Sequence, residues 1–301
     1  MNRGIRRTAE HLQEGDGMTP GDHVAQQVTE RYRALSPASA RAFEEIAVLV
    51  KRAGRGCLLV LNPQHNPTGT NWAADRVEST ISPAAAHHAA VLLDDAYYAL
   101  HTPGEQPTNA LLMLVEGIPR TSAPWLATRT LGKQFHCNGW GLGALTSRPE
   151  VLADLARFTQ ERSYGCALPL QAAMAAWLRK EEADAFLDGL RRGYAAARRQ
   201  VADRLRRDLG FPPDAVHVGT CSAYLRFRVP PRFVREGSEA HYRRLCMAAG
   251  VLPGAGSMTV PASTPSVRLG PPTAYVRLFL GQPGHVLDEA LDRLARAELG
   301  W

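Results

Sequence analysis

Residues 62–69 read NPQHNPTG and follow directly on CLLVL, the apolar run of residues 57–61. The apolar run predicts a short buried strand. Two Asn-Pro pairs and a Thr-Gly pair then predict an abrupt, irregular loop, because proline fixes φ and lacks an amide hydrogen. Open α/β sheets bind ligands beyond the carboxyl ends of their strands, so the Asn66 amide is a candidate donor to a ligand oxygen. A plain turn is the alternative interpretation of any single Asn-Pro pair.

The segments around this loop predict an α/β unit. Apolar runs at residues 90–100, 123–130 and 142–147 predict further strands, and their continuity is typical of a parallel sheet covered on both faces. Residues 36–54 and 78–89 predict helices before and after the first strand.

The second half of the chain has a different pattern. Residues 149–210 are helical in periodicity, and residues 284–299 predict a closing amphipathic helix. Short alternating segments at 223–229 and 275–281 predict strands, with a helix at 238–250 between them and a turn at LPGAG. This pattern predicts a smaller α+β unit.

Length supports a division into units, because 301 residues suffice for two domains of ordinary size. We expect an uncertain N-terminal segment at 1–35 and an α/β core at 36–160. Connecting helices and the small C-terminal domain follow at 161–301.

Composition excludes several classes of protein. Hydrophobic content of 45% and charged content of 21% are typical of a globular protein. No apolar stretch approaches the roughly 18 residues of a membrane helix, and no apolar region follows the basic opening, so we expect a cytoplasmic protein without a membrane partner. Five scattered cysteines support neither a disulfide framework nor a zinc site, so no metal is expected.

The net charge of +6 raises the question of a nucleic-acid partner. The arginines are interleaved with acids along predicted helices, which favours solvated helix faces, and we expect no nucleic acid.

Three further segments recur in order after HNPTG: DDAYYAL at 94–100, TRTLGKQFHCNGWGLGAL at 128–145 and AYVRLFLG at 274–281. Together the four segments resemble the fold type I aminotransferases of class I/II, which include the aspartate and aromatic aminotransferases and use pyridoxal 5'-phosphate (PLP). The resemblance covers about residues 36–301. It implies the PLP-transferase fold, a mostly parallel sheet flanked by helices with a smaller C-terminal α+β domain, and a PLP-dependent enzyme that acts on an amino acid or 2-oxo acid as a homodimer.

The resemblance also implies roles for individual residues. Lys133 is the matching catalytic lysine, which forms a Schiff base with the cofactor. Asp94 would pair with the pyridine nitrogen, where a carboxylate keeps the ring cationic and able to accept electrons. Asn66 and Tyr97 would donate to the ring oxygen, and Thr130 stands where the family has a serine that binds the phosphate. Asp95 is the rival of Asp94, which the motif register favours.

Arg277 is the matching arginine for the substrate α-carboxylate, which a guanidinium can hold through two parallel hydrogen bonds. Arg268 is its rival within a predicted loop, residues 257–273.

The chain departs from the family pattern in two places. Gly141 stands where the family has a phosphate-binding arginine, for which Arg129 or Arg148 is the candidate replacement. Relatives also carry roughly another hundred residues before the NPTG segment, and their phosphate-binding loop is not found in the 65 residues before Asn66. A partner chain that completes the large domain, a weakly held cofactor and a loss of PLP chemistry are the three interpretations.

Two other functions stay open. The first is a noncatalytic, aminotransferase-like interaction subunit. The second is another PLP reaction in a biosynthetic pathway, namely elimination, replacement or decarboxylation, because PLP supplies the same carbanion chemistry to each.

Overall fold

The computed structural model describes residues 48, 50–52, 56–118, 123–163, 167–234, 238–256 and 274–301. The segment 1–35, most of the helix expected at 36–54, and the loop at 257–273 with Arg268 lie outside these residues. Residues 50–52, at the end of that expected helix, are helical.

The first half contains a four-stranded sheet with the order β1-β2-β3-β4. Its strands are β1 (Leu58–Leu61), β2 (Ala90–Asp94), β3 (Trp125–Thr130) and β4 (Gly143–Thr146). The first three strands are parallel, and β4 runs antiparallel to β3. All four strands were predicted, and the sheet is mostly parallel as expected.

Two helices connect the parallel strands. Helix α1 (Ala74–Ala86) joins β1 to β2, as the sequence predicted, while α2 (Ala110–Gly117) lies between β2 and β3 and was not predicted. The N-cap of α2 is Asn109, whose side chain accepts from the amide of Leu112. Both helices pack on one face of the sheet, where their apolar residues form a core with the buried residues of β1, β2 and β3.

The other face of this sheet is exposed at β1 and partly buried at β2 and β3. Val60, Leu92 and Leu126 are cross-strand neighbours in register. Val60 is 50% exposed and Leu58 on the same strand is 60% exposed, whereas Leu59 is buried. Side chains alternate between the two faces of a strand, so the exposed residues form one apolar face. Among the described residues, α1 and α2 cover one face of this mostly parallel sheet.

Three helices follow: α3 (Pro149–Ser163), α4 (Leu168–Trp177) and α5 (Glu181–Arg207). The longest, α5, begins with acidic residues and ends with arginines, an arrangement that the helix dipole favours. Its buried face carries Tyr194, Val201 and Leu205 into the second hydrophobic core.

The second sheet is antiparallel throughout, with the order β5-β6-β8-β7. Its strands are β5 (Val216–His217), β6 (Tyr224–Arg228), β7 (Gly254–Ala255) and β8 (Tyr275–Phe279), and it packs with α6 (Ser238–Ala248) and α7 (Gly284–Arg296). Strands β6 and β8 and both helices were predicted; the expected turn at LPGAG contains the short strand β7.

The core of this second unit also includes Tyr97 and Leu100, which follow β2 in sequence. The segment that follows β2, an inner strand of the first sheet, therefore packs against the second unit. No helix among the described residues combines the length and the apolar character that a membrane span needs.

Candidate active site

The HNPTG loop is held in place by Asn62, the first residue of the NPQHNPTG segment. The Asn66 amide donates to Oδ1 of Asn62 at 3.0 Å, and Nδ2 of Asn62 donates to the carbonyl of Asp94 at 2.8 Å. The Asn66–Pro67 peptide bond is cis. Asn62 thus holds the loop after β1 against the end of β2, which brings two of the predicted site residues to the same edge of the sheet.

A line of hydrogen bonds joins three predicted residues that are distant in sequence. Nδ2 of Asn66 donates to the Tyr97 hydroxyl at 3.3 Å, and Nη1 of Arg277 donates to Oδ1 of Asn66 at 2.7 Å. Burial raises the pKa of Tyr97, so this hydroxyl keeps its proton. The guanidinium of Arg277 also lies 4.5 Å from the ring centroid of Tyr224.

The two neighbouring acids at the end of β2 have different surroundings. Asp95 is buried and forms an ion pair with Arg129, whose Nε donates to Oδ2 at 2.9 Å. Oδ1 of Asp94 accepts from the Ala96 amide at 3.3 Å, and no basic side chain in the described ranges forms an ion pair with Asp94. Burial is the largest influence on the pKa of Asp94 and raises it. Asp95 is therefore paired with Arg129, whereas Asp94 forms no ion pair with a described residue.

Lys133 lies in the turn that follows β3. The turn is held by the Gly132 amide, which donates to Oγ1 of Thr130 at 3.2 Å, and by the Phe135 amide, which donates to the carbonyl of Leu131 at 3.0 Å. Lys133 lines a cavity of about 210 Å³ together with Tyr97. Asp94 is outside the set of residues that line this cavity.

Both candidate replacements for the missing phosphate-binding arginine bind other groups of the protein. Arg129 is paired with Asp95, and Nη2 of Arg148 donates to the carbonyl of Ala123 at 3.1 Å. Gly141 itself has a left-handed backbone, with φ of 64°.

A turn of the second unit docks on the HNPTG loop through main-chain atoms. The carbonyl of Gly69 accepts from the amides of Thr220 and Cys221 at 2.8 and 2.9 Å. The contact is close enough to require glycine, since a Cβ on Gly219 would lie 2.3 Å from the Gly69 oxygen. Buried Arg198 supports the same turn by donating to the Ser222 carbonyl at 2.6 Å.

Several residues of the site were not found from the sequence. Asn62 belongs to the quoted motif, and its position just after a strand was the available signal. The other missed residues line the cavity beside Lys133, and no local signal marks them: His136, Tyr194, Tyr224 and Phe279.

The mostly parallel sheet carries the HNPTG loop after β1 and the lysine turn after β3, and it is joined to a smaller α+β unit that bears Arg277. This arrangement is that of PLP-transferase fold type I. Residues 26–272 match the model of the family described as aminotransferase class I and II. The chain belongs to this family.

Individual relatives agree with the family match. The methionine aminotransferase of Escherichia coli is 26% identical over 149 residues, which cover 49% of this chain and 37% of the relative. The aromatic-amino-acid aminotransferase 2 of Thermococcus litoralis is 26% identical over 243 residues, which cover 79% of this chain and 56% of the relative. The structure of N-succinyldiaminopimelate aminotransferase from Mycobacterium tuberculosis is similar with a TM-score of 0.69 at 26% identity, over 89% of this chain and 63% of that one.

The chain thus spans between 37% and 63% of the length of these three relatives. The likeness establishes family and fold.

Proposed function

We propose that this protein is a PLP-dependent aminotransferase that exchanges the amino group of an amino acid with a 2-oxo acid. The observation that carries the proposal is the hydrogen-bonded line from Arg277 through Asn66 to Tyr97, with Tyr97 on the same cavity as Lys133. It unites the groups that amino-group transfer needs, namely a carboxylate-binding cation, donors to a ring oxygen and a primary amine.

The ring end of the site fits PLP. When bound, PLP supplies an aldehyde and an electron-accepting pyridinium ring, through which an amino group can be taken up and passed on. Asp94 is a partly buried carboxylate whose pKa burial raises, and a cationic ring nitrogen is the partner that would offset its lost hydration. Asn66 and Tyr97 are the donors for the ring oxygen, and Thr130 offers a hydroxyl for the phosphate.

The protein's own groups would then do three things. Arg277 binds the α-carboxylate of the substrate, and its bond to Asn66 fixes the orientation of the guanidinium. Lys133 moves the proton from the substrate α-carbon through its Nζ amine. The buried hydroxyl of Tyr97 remains a hydrogen-bond donor throughout, because burial raises its pKa.

Attachment of PLP tests this assignment. The purified protein is incubated with PLP and reduced with borohydride, and the modified peptide is identified by mass spectrometry. We expect the label on Lys133, and Lys133→Ala should abolish it. Lys180→Ala, which removes an exposed lysine at the start of α5, is the matched control and should retain it. Equal labelling of the parent and Lys133→Ala proteins would refute the assignment.

We also propose that the chain assembles as a homodimer. The apolar row of Val60, which is 50% exposed, with the partly buried Leu92 and Leu126 supports an assembly, because parallel sheets are almost always covered on both faces. A partner chain that completes the large domain is the alternative occupant of this face.

Sedimentation equilibrium distinguishes the two assemblies. We expect a dimeric mass that Val60→Lys converts to a monomer, whereas Val286→Lys, at a 40% exposed position of α7, should remain dimeric. A monomeric parent protein would contradict the homodimer and leave the completing chain as the proposal.

We also propose a domain boundary near residue 160 and a cytoplasmic location. A boundary near residue 160 is supported by the separation of the two hydrophobic cores, the first of which ends with β3. A cytoplasmic location is supported by the free thiols of Cys137, Cys221 and Cys246.

A further inference from the structure

A group of basic and aromatic side chains lies on the face of the second sheet that is opposite its hydrophobic core. His217 on β5 and Arg226 on β6 are cross-strand partners in register, and both contact the ring of Tyr275 on β8. The guanidinium carbon of Arg226 lies 3.9 Å from the centroid of that ring, and the imidazole centroid of His217 lies 5.3 Å from it. We call these three residues the Arg226 cluster. All three are half-buried, and none of them lines the cavity beside Lys133.

Arg226 carries a charge that no acidic side chain in the described ranges pairs with. Its Nε is buried without a hydrogen-bond partner, and so is Nε2 of the neighbouring His217. Burial lowers the pKa of Arg226, as expected for a cation that has lost water and gained no anion. Because buried donors and cations without partners are costly, these two side chains are suited to an external acceptor.

The charges that act on the cluster are mainly positive. Arg277 on β8 stands opposite Arg226 in register, and like charges at such positions repel each other. Burial is the first cause and the charge of Arg226 the second cause of the lowered pKa values of His65 and His217. Both imidazoles are therefore neutral at neutral pH, where a neutral imidazole still donates one hydrogen bond.

The chain supplies little negative charge to offset these groups. Asp214 is an acid that acts on His217, but it is already bound by Arg228, whose Nη2 donates to its Oδ2 at 2.8 Å. In sequence, the segment 257–273 between β7 and β8 contains no aspartate or glutamate and adds Arg268. The cluster therefore has a surplus of positive charge.

We propose that the Arg226 cluster binds a small oxyanion of the phosphate class, either inorganic phosphate or the phosphate group of a metabolite. The guanidinium presents a fork of donors that matches two phosphate oxygens, and Nε2 of His217 supplies a further donor. Tyr275 holds the guanidinium through a cation–π contact, which leaves its N–H groups for the anion. A dianion suits the site better than a carboxylate, because it offsets the repulsion between Arg226 and Arg277.

This site goes beyond the proposed function, in which neither the cofactor nor the amino-acid carboxylate is bound by the Arg226 cluster. Isothermal titration calorimetry with inorganic phosphate tests it on the full chain, with PLP in excess and at constant ionic strength. We expect one phosphate to bind per chain, and acetate to bind at least about tenfold more weakly.

Arg226→Met should weaken phosphate binding at least about tenfold, because it removes charge-assisted hydrogen bonds. Arg157→Met, at a 74% exposed position of α3, is the matched control and should bind phosphate as the parent does. Equal phosphate affinities of the parent and Arg226→Met proteins would overturn the inference.

Urea denaturation gives a second readout of the same variant. Arg226→Met should stay folded in chloride, because methionine preserves apolar packing and removes an unpaired charge. Phosphate should raise the urea midpoint of the parent and leave that of Arg226→Met unchanged. An equal rise in both proteins would place the anion elsewhere.

His217 tests the cluster without a change of net charge. His217→Ala removes the Nε2 donor and should weaken phosphate binding roughly fivefold. His217→Gln keeps an N–H donor on a side chain of similar reach and should retain more of the affinity than His217→Ala. An affinity for phosphate that neither substitution changes would contradict the cluster as the binding site.

Glycerol phosphate distinguishes the two sources of the anion. Tighter binding of glycerol phosphate than of inorganic phosphate would assign the site to a phosphorylated metabolite, and equal or weaker binding would assign it to free phosphate. No binding of either compound, or tighter binding of acetate, would overturn the inference. Borohydride labelling of Lys133 is a separate measurement, so the phosphate site and the aminotransferase can each fail without the other.

Discussion

Arg277 in β8 donates to Oδ1 of Asn66 at 2.7 Å across 211 positions of sequence, so the second sheet is bonded directly to the HNPTG loop of the first. The same asparagine donates onward to Tyr97. One amide therefore connects a residue of each unit.

This connection predicts energetic coupling between Asn66 and Arg277. In a double-mutant cycle of Asn66→Ala and Arg277→Met, we expect a coupling of about 0.5–3 kcal/mol in the free energy of unfolding. Urea denaturation of the four proteins measures it. Strict additivity of the two single changes would show that the bond does not contribute.

The two adjacent acids should respond differently to neutralisation. Asp95→Asn breaks a buried, charge-assisted pair with Arg129 and should lower the free energy of unfolding by about 1.5–3 kcal/mol. Asp94→Asn removes a desolvated carboxylate and should change it by less than about 1 kcal/mol. Thermal or urea unfolding at neutral pH compares them, and equal losses would contradict the assignment of Asp94 as the acid held ready for a ligand.

Gly219 should tolerate no side chain. Gly219→Ala places a Cβ 2.3 Å from the Gly69 oxygen at a φ of +65°, so it combines backbone strain with a main-chain clash. Gly104→Ala is the matched control, because that residue has φ of +85° with open space around it. We expect a loss of about 1 kcal/mol for Gly104→Ala and at least about 3 kcal/mol for Gly219→Ala. Similar losses of unfolding free energy in the two variants would mean that the turn at Gly219 can move away from the Gly69 carbonyl at little cost.

His65 should make stability depend on pH. Burial, with the charge of Arg226 as a second cause, lowers the pKa of His65 from 6.5 to about 4. The unfolded chain therefore takes up a proton first as the pH falls, and the folded state loses about 2 kcal/mol between about pH 7.5 and pH 5. The loss begins near the unfolded pKa of 6.5 and levels off below about pH 4.

Urea denaturation over this pH range measures the effect. His65→Gln should remove that part of the pH dependence, whereas His285→Gln, at an exposed position of α7, should retain it. An identical pH profile in the parent and His65→Gln would contradict the shifted pKa.

Local pattern was enough to predict the four strands of the first sheet, strands β6 and β8 of the second and most helices, because apolar runs and caps act over a few residues. The two-residue strands β5 and β7 were not predicted. The short helix α2 was missed although Asn109 caps it. The exposed face of β1 was not foreseen, because Leu58 and Leu59 are chemically identical and only the position of α1 decides which one is buried.

The site was predictable only where residues are close in sequence or follow the family pattern. Asn66 was proposed from its loop after a strand as well as from the resemblance, whereas Lys133 and Arg277 were proposed through the resemblance. Asn66 and Arg277 lie on opposite sides of a contact that no local rule gives. The pairing of His136 with Tyr194 spans 58 positions and depends on how α5 crosses the lysine turn. Such long-range pairs become visible only when both elements are placed.

The joint at the Gly69 carbonyl is made mostly of main-chain amides from positions 220 and 221. The side chain at position 220 therefore contributes little to this contact. The contact depends instead on the number of residues between β5 and β6, which places the two amides. Substitution at position 220 by residues other than proline, which lacks the amide hydrogen, should be accepted in a library of variants, while insertion or deletion of a single residue in this turn should not.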